Sequence, residues 1–430
     1  MKKLLSIALA LALCATMVSC NSAAATPAAE QQPAAQPAAQ PADQPKAAQA
    51  MNLYYASDLD VTISATVDAY KAARPEVDVV KHLIPNDDYD DKLKVLMAGS
   101  PADLDAFWIR TPAQTKQYIA NNTLEGLSSY TGASGVDLSP IINTALEGAK
   151  SEDGSEFFGL PLSASCWLLF YNKGIFDAKG IEYPIDITWD KYRELSKQLT
   201  YEEGGTKYWG GVIPPWMYNI GAAAAGEYLT DAEPLPFTRQ YTQLLYDLYT
   251  GDKSHISLEE MSSGMFDPYA AFASGNVAMT INGDWTFRLL EAPDIEWAAA
   301  PLPVFNGVPK GSSVGQSSYF CISTASKNKQ TAYEFIEFTT LSDEGTSIIA
   351  RTDVPSYATD AAMATYKQSV TTPGVEYRFS SLVNLEQGTD PNYGEVNDAF
   401  IAEIQLYLLG EEDLDTMFKN FFTLRSEILG

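Results

Sequence analysis

Two hydrophobic periods alternate along the chain after position 50. Met51–Ser57 (MNLYYAS) reads as a short buried strand, and Thr62–Ala73 spaces Ile63, Val67 and Tyr70 at helical intervals before Arg74-Pro75 ends the run. VDVVKHLI (77–84) is a second strand, Tyr89–Ala98 a second helix and ADLDAFWI (102–109) a third strand. That alternation predicts an α/β fold with a mainly parallel sheet and helices on both faces. Ligands of such sheets gather beyond the carboxyl ends of the strands. Three groups stand at such ends: Ser57-Asp58, Trp108 with Arg110-Thr111, and Gly283-Asp284-Trp285 after the run Val277–Ile281. Further on, SCWLLFYNK (165–173) reads as a strand. Trp189–Leu199, Phe237–Tyr249, Lys329–Phe338 and the stretch after Gly410 read as amphipathic helices. No internal repeat is visible.

The N-terminus follows a different pattern. Lys2 and Lys3 precede the apolar run Leu4–Val18 and then Ser19-Cys20, the layout of a secretory signal and too short for a stable membrane span. MVSC resembles a bacterial lipobox, which implies cleavage before Cys20 and diacylglycerol on its thiol, so that residues 1–19 are a lipoprotein signal peptide. The alternative is an uncleaved or simply secreted precursor. Asn21–Ala50 is almost entirely Ala, Pro, Gln and Ser, with too few apolar groups for a core. Residues 20–50 are therefore expected to be a lipidated cysteine and a disordered tether. At about 3 Å per extended residue, it could hold a folded body tens of ångströms from a membrane.

Composition then narrows the possibilities. The chain has 430 residues, 46% of them hydrophobic, and the part after the tether is long enough for two sizeable cores. A net charge of -27 without a Lys/Arg stripe argues against nucleic acid. Besides Cys20, the exported part keeps Cys166 and Cys321. They could pair, but both stand in apolar strand-like runs, which favours buried thiols. His82 and His255 are isolated, so neither a histidine zinc site nor a His-dependent triad is expected. No metal, cofactor or catalytic residue is predicted.

Four blocks, in order, resemble the extracellular solute-binding proteins of ABC importers, in particular the sugar-binding group that includes maltose-binding protein. They are FGLPLSASCWLLFYNKGIFDAKGIEYPIDITWDKYRELSKQLT (158–200), FASGNVAMTINGDWTF (272–287) with Pro301–Pro303 after it, VGQSSYFCISTASKNKQTAYEFIEFTT (314–340) and GEEDLDTMFKNF (410–421). The resemblance implies a periplasmic-binding-protein-like fold: two discontinuous α/β lobes joined by crossing strands, with the ligand in the cleft between them. Crossings are expected near Leu160–Trp167, near Ser313–Ile322 and around Tyr366–Arg378. That gives residues 51–162 and 320–370 to lobe 1, and 166–317 and 372–430 to lobe 2.

The resemblance also carries ligand roles onto particular residues. Trp285 and Trp108 would offer indole faces to a sugar, since a flat apolar ring suits the C–H face of a pyranose while hydroxyls need fixed polar partners. Asp284 beside Gly283, Asp58, Ser57, Arg110 and Thr111 would supply such partners. Ser165, Gln316 and Ser317 fall on the crossings. Trp216, Tyr218 and Asn219 stand in the aromatic segment GVIPPWMYN, and Arg378 and Tyr393 toward the C-terminus. The C-terminal cleft residues of the maltose binder do not line up; position 401 is an apolar Ile. The expected protein is a non-enzymatic, lipid-anchored monomer. It would capture a mono- or oligosaccharide and deliver it to the transmembrane subunits of an ABC permease, touching the membrane only through its anchor. Two alternatives stay open: a non-sugar ligand (a polyamine, a peptide or a metal chelate), and a secreted glycoside hydrolase using Asp58 and Asp284.

Overall fold

A computed structural model describes residues 49–142, 145–214, 216, 218–261, 266–290 and 294–430. The signal segment, Cys20 and all but the end of the tether lie outside the described residues. The predicted alternation is present: β1 (Gln49–Ala56), α1 (Asp60–Ala73), β2 (Val77–Ile84), α2 (Tyr89–Gly99) and β3 (Ala106–Ile109); a further helix, α3 (Pro112–Ala120), follows that the pattern did not predict. Strand β3 is shorter than its apolar pattern. Asp105, fully buried just before it, ties the chain down by accepting from the Asn52 backbone N–H (2.9 Å), Ser326 Oγ (2.5 Å) and Asn328 Nδ2 (3.2 Å). Helix α3 starts cleanly because Thr111 Oγ1 accepts from Gln114 N at 3.2 Å and Pro112 occupies the first turn, where no N–H is missed.

The later strands are β4 (Gly159–Ala164), β5 (Trp167–Asn172), a hairpin of β6 (Tyr201–Glu203) and β7 (Thr206–Tyr208), then β8 (Met279–Gly283), β9 (Trp297–Pro301), β10 (Ser312–Gly315), β11 (Ser317–Ile322) and β12 (Leu382–Leu385). One sheet has the order β2-β1-β3-β11-β4, with β1 parallel to β2 and β3, and β11 antiparallel to β3 and β4. A second has the order β8-β5-β9, and both its pairings are antiparallel. The parallel expectation therefore holds for the first three strands and not for the second sheet. The chain enters β8 opposite Tyr171, at the far end of β5, and runs back until Gly283 faces Trp167. Strands β10 and β12 form a parallel pair.

Each main sheet has its own hydrophobic core. One draws on residues 51–162 and 319–357, among them Leu53, Ile63, Tyr70, Phe107, Phe320 and Phe335. The other draws on residues 166–314 and 393–421, with Phe170, Ile281, Tyr241, Phe272, Phe400 and Phe421; Ala113 of α3 also packs into it. Cys166 and Cys321 are both free, buried thiols. No described helix is long and apolar enough to cross a membrane.

Candidate functional site

Two short links pass side by side between the cores: Ser165-Cys166 from β4 to β5, and Gln316 from β10 to β11. Ser165 N donates to Gln316 O (2.9 Å), Ser165 Oγ donates to the same oxygen (3.1 Å), and Gln316 N donates back to Ser165 Oγ (3.0 Å). Gly315 permits this approach, because a Cβ there would strike the Ser165 carbonyl. Ser317, buried, continues the pairing opposite Ala164.

The antiparallel return of β8 brings Gly283-Asp284-Trp285 to these links. Asp284 N donates to Cys166 O at 2.9 Å. The Asp284 carboxylate meets Arg378 Nε at 3.1 Å, both side chains about nine-tenths buried, and Arg378 Nη2 donates to Ala164 O at 2.6 Å. Burial pushes the Asp284 carboxyl up to about 6 even though the Arg378 charge pulls the other way. The Trp285 indole folds back over Gly283, where a Cβ would collide with its ring. It meets Trp167 edge-to-face at 5.0 Å and donates from Nε1 to Tyr269 OH at 2.7 Å. Asn219 Nδ2 donates to the hydroxyl of buried Tyr393 at 3.0 Å. Tyr218 is buried in the second core, whereas Trp216 is half exposed.

On the first core, several candidates use their polar atoms locally. Ser57 Oγ accepts from Asn86 N (3.0 Å), and Thr111 caps α3. Arg110 donates to Asp90 (3.2 Å) and to Asn86 Oδ1 (3.1 Å), with its guanidinium 4.9 Å over the Trp108 ring. Trp108 is buried, and its carbonyl accepts from Tyr89 OH at 2.5 Å. Its indole N–H, by contrast, is buried without a partner, as are Asp58 Oδ1 and Gln316 Oε1. Asp284 Oδ2 and Arg378 Nε also lack a hydrogen bond, though they face each other as an ion pair, so five predicted residues carry a buried polar atom without one, where such atoms are almost always bonded.

The cores touch across this region. Arg288, three residues after Trp285, donates to Asp58 O at 2.9 Å and pairs with Asp353 at 3.1 Å. Sequence reasoning missed Arg288, Asp353 and Glu386. Glu386 Oε2 accepts from Trp167 Nε1 at 2.6 Å, and burial pushes its carboxyl up to about 7. The segment 382–386 has only four strand residues and no family block, so the one available signal was an acidic residue ending an apolar run. The histidines are structural. His82 stacks on Tyr54 with ring centroids 4.2 Å apart. His255 is buried 2.9 Å from Tyr192 OH, with desolvation lowering its pKa to about 3. Among the described residues, no cluster of three His, Cys, Asp or Glu could hold a metal ion.

Two cores joined by short strand links, with aromatic and polar side chains gathered at the links, make the architecture of a solute-binding protein. The chain belongs to the family of bacterial extracellular solute-binding proteins, whose model matches residues 65–373, and the family places it outside the cytoplasm. Among solved structures it is similar in fold to an ABC substrate-binding protein of Listeria monocytogenes in complex with cycloalternan, at TM-score 0.78 and 22% identity over 88% of this chain and 98% of that one. It is similar also to an ABC transporter solute-binding protein of Thermotoga lettingae bound with alpha-D-tagatose (TM-score 0.76, 19% identity, 89% and 100% covered). A third similar structure is the maltose-bound MalE3 of T. maritima (TM-score 0.71, 17% identity, 89% and 99% covered).

Proposed function

We propose that this chain is the substrate-binding component of an ABC importer, capturing a neutral-surfaced carbohydrate between two lobes and handing it to the permease. The observation that carries the reading is the set of buried polar atoms without a hydrogen bond on Asp58, Trp108 and Gln316, together with the indoles of Trp108 on the first core and Trp285 at the links. A saccharide offers both halves of that environment: hydroxyls for the orphans and a C–H face for the rings. The similar structures that hold cycloalternan, tagatose and maltose support the same ligand class.

In this reading the lobes are residues 51–162 with 320–370 and residues 166–317 with 372–430. They swing about the Ser165-Cys166 and Gln316 links. Ligand that touches both walls only when they are together favours the closed state through its differential affinity. The protein performs no catalysis; Asp284 is held by Arg378 and serves recognition rather than acid–base chemistry. Lipid on Cys20 and the Ala/Pro/Gln tether hold the monomer at the membrane near its permease. The test is isothermal titration against a saccharide panel, together with mass spectrometry of ligand released on denaturing the purified protein. Release of a saccharide and saturable heat with it are expected. A polyamine, peptide or metal chelate in its place would overturn the carbohydrate assignment.

A further inference from the structure

Glu386 gives the fold its backbone N–H and one carboxylate oxygen, and keeps the other oxygen to spare. Its backbone N donates to Gly315 O at 2.9 Å, which sets it next to the Gln316 link, at the carboxyl end of the β10–β12 pair. One carboxylate oxygen holds the Trp167 indole, whose ring meets Trp285. The other oxygen has no hydrogen-bond partner among the described residues, and the side chain as a whole is only part-buried. The Glu386 charge is near enough to help raise the Tyr393 phenol. A carboxylate thus stands among Trp167, Tyr393 and Gln316, with no ion pair to a cation among the described residues.

The cations of the region are all committed. Arg378 is held by Asp284, Arg288 by Asp353 and the Asp58 carbonyl, and Arg110 by Asp90 and Asn86. Apart from Asp284 Oδ2 and Arg378 Nε, which face each other as an ion pair, what lacks a hydrogen bond here is acceptor-rich: Asp58 Oδ1, Gln316 Oε1 and the second Glu386 oxygen, against the Trp108 indole N–H. A hydroxyl can donate to each acceptor. A carboxylate or phosphate cannot, and it would add like charge in a desolvated place.

We infer that Glu386 is a specificity-determining residue of the proposed sugar site: its free oxygen accepts from a ligand hydroxyl, and its charge bars uronates and sugar phosphates. The inference rests on the carbohydrate reading above and names the subclass, neutral saccharides. Its test is isothermal titration of the full chain and its Glu386→Gln variant with maltotriose, mannobiose, tagatose and trigalacturonate at pH 8. The amide keeps an acceptor for the Trp167 N–H but loses the charge.

Wild type is expected to bind a neutral sugar at least a hundredfold more tightly than trigalacturonate. Glu386→Gln should weaken the neutral ligand about tenfold, the scale of a lost charge-assisted bond, and narrow the preference. Tighter binding of the uronate by wild type, or a variant with unchanged affinity and preference, would overturn the inference and leave the carbohydrate reading standing. Binding of no saccharide at all by wild type would remove both. Should the variant unfold, the wild-type preference and a Glu386→Asp variant, which withdraws the carboxylate by one methylene, decide the matter in the same terms.

Discussion

The two walls of the site are built on opposite plans. On the second core the side chains at the links are paired with one another: Asp284 with Arg378 as an ion pair, Trp285 with Tyr269, Trp167 with Glu386, Asn219 with Tyr393. On the first core Asp58 Oδ1 and the Trp108 indole N–H are buried and unpaired. In the proposed reading one wall is preorganised by its own bonds, and the other is completed by what binds. Ordering is prepaid on the first plan, so the ligand need not fix those side chains. The difference teaches where mutations should register: in stability on the second wall, in affinity on the first.

The largest effect should come from breaking the preorganised wall. Arg378→Ala leaves Asp284 buried and uncompensated, which costs about 3–5 kcal/mol where a buried pair is broken. Asp58→Ala should cost well under 1 kcal/mol in stability, since it deletes an atom that lacked a partner. Chemical denaturation midpoints measure both. Equal losses would erase the contrast between the walls.

Next in size is the pair of indoles. Trp108→Ala with Trp285→Ala should weaken saccharide binding about a thousandfold by titration calorimetry, at roughly 2 kcal/mol for each buried aromatic anchor. The single changes should differ. Trp285→Ala also strips a ring from Trp167 and a donor from Tyr269, so it should lower the melting temperature as well. Undiminished affinity in the double variant would place the ligand elsewhere.

Legibility in the sequence followed the same division. The first wall could be read from local signals: alternating periods gave β1 to β3, and strand ends put Ser57-Asp58 and Trp108 forward as candidates. The second wall depends on partners far apart in the chain. Trp167 meets Glu386 across 219 residues, and Arg378 meets Ala164 across 214. No spacing rule reports such pairs, and the antiparallel sheet that brings Gly283 to Trp167 was not visible in hydrophobic period alone. Side-chain identity also misled in a physical sense. Arg110 looks like a free cation in sequence, yet Asp90 and Asn86 occupy it.

The walls should also respond to pH with opposite sign. Asp284 and Glu386 have carboxyls raised by burial to about 6 and about 7, so between the ordinary carboxylate range and those values the folded state holds more protons than the unfolded chain. Their contribution to stability therefore falls as pH rises through that window and is flat above it. The groups facing Glu386 are Trp167 and Tyr393, and those facing Asp284 are Arg378 and Asp353. Asp60, beside the first-wall loop, is lowered by hydrogen bonds from Tyr55 and Ser64, so its contribution is lost as pH falls through its depressed value. Glu386→Gln should be more stable than wild type at pH 8 and indistinguishable from it at pH 4.5. A difference that grows toward acid would contradict the assignment.

The smallest effect should fall on the bond that joins the two plans. Arg288 reaches from the second wall to Asp353 and to the Asp58 carbonyl, and both members of the ion pair are largely shielded from solvent. If the lobes swing as proposed, these contacts exist only while the walls are together and favour closure whether or not ligand is present. Asp353→Asn removes the charge but keeps an acceptor for the guanidinium. The closed state should lose about 0.5–1 kcal/mol, the scale of a modest ion pair, and affinity should fall about two- to fivefold. Ligand-free protein should then show a larger radius of gyration in X-ray scattering, while ligand-saturated protein matches wild type. A variant that binds as tightly as wild type and scatters identically without ligand would mean that the pair merely fills space at the rim, and that closure is driven by the ligand alone.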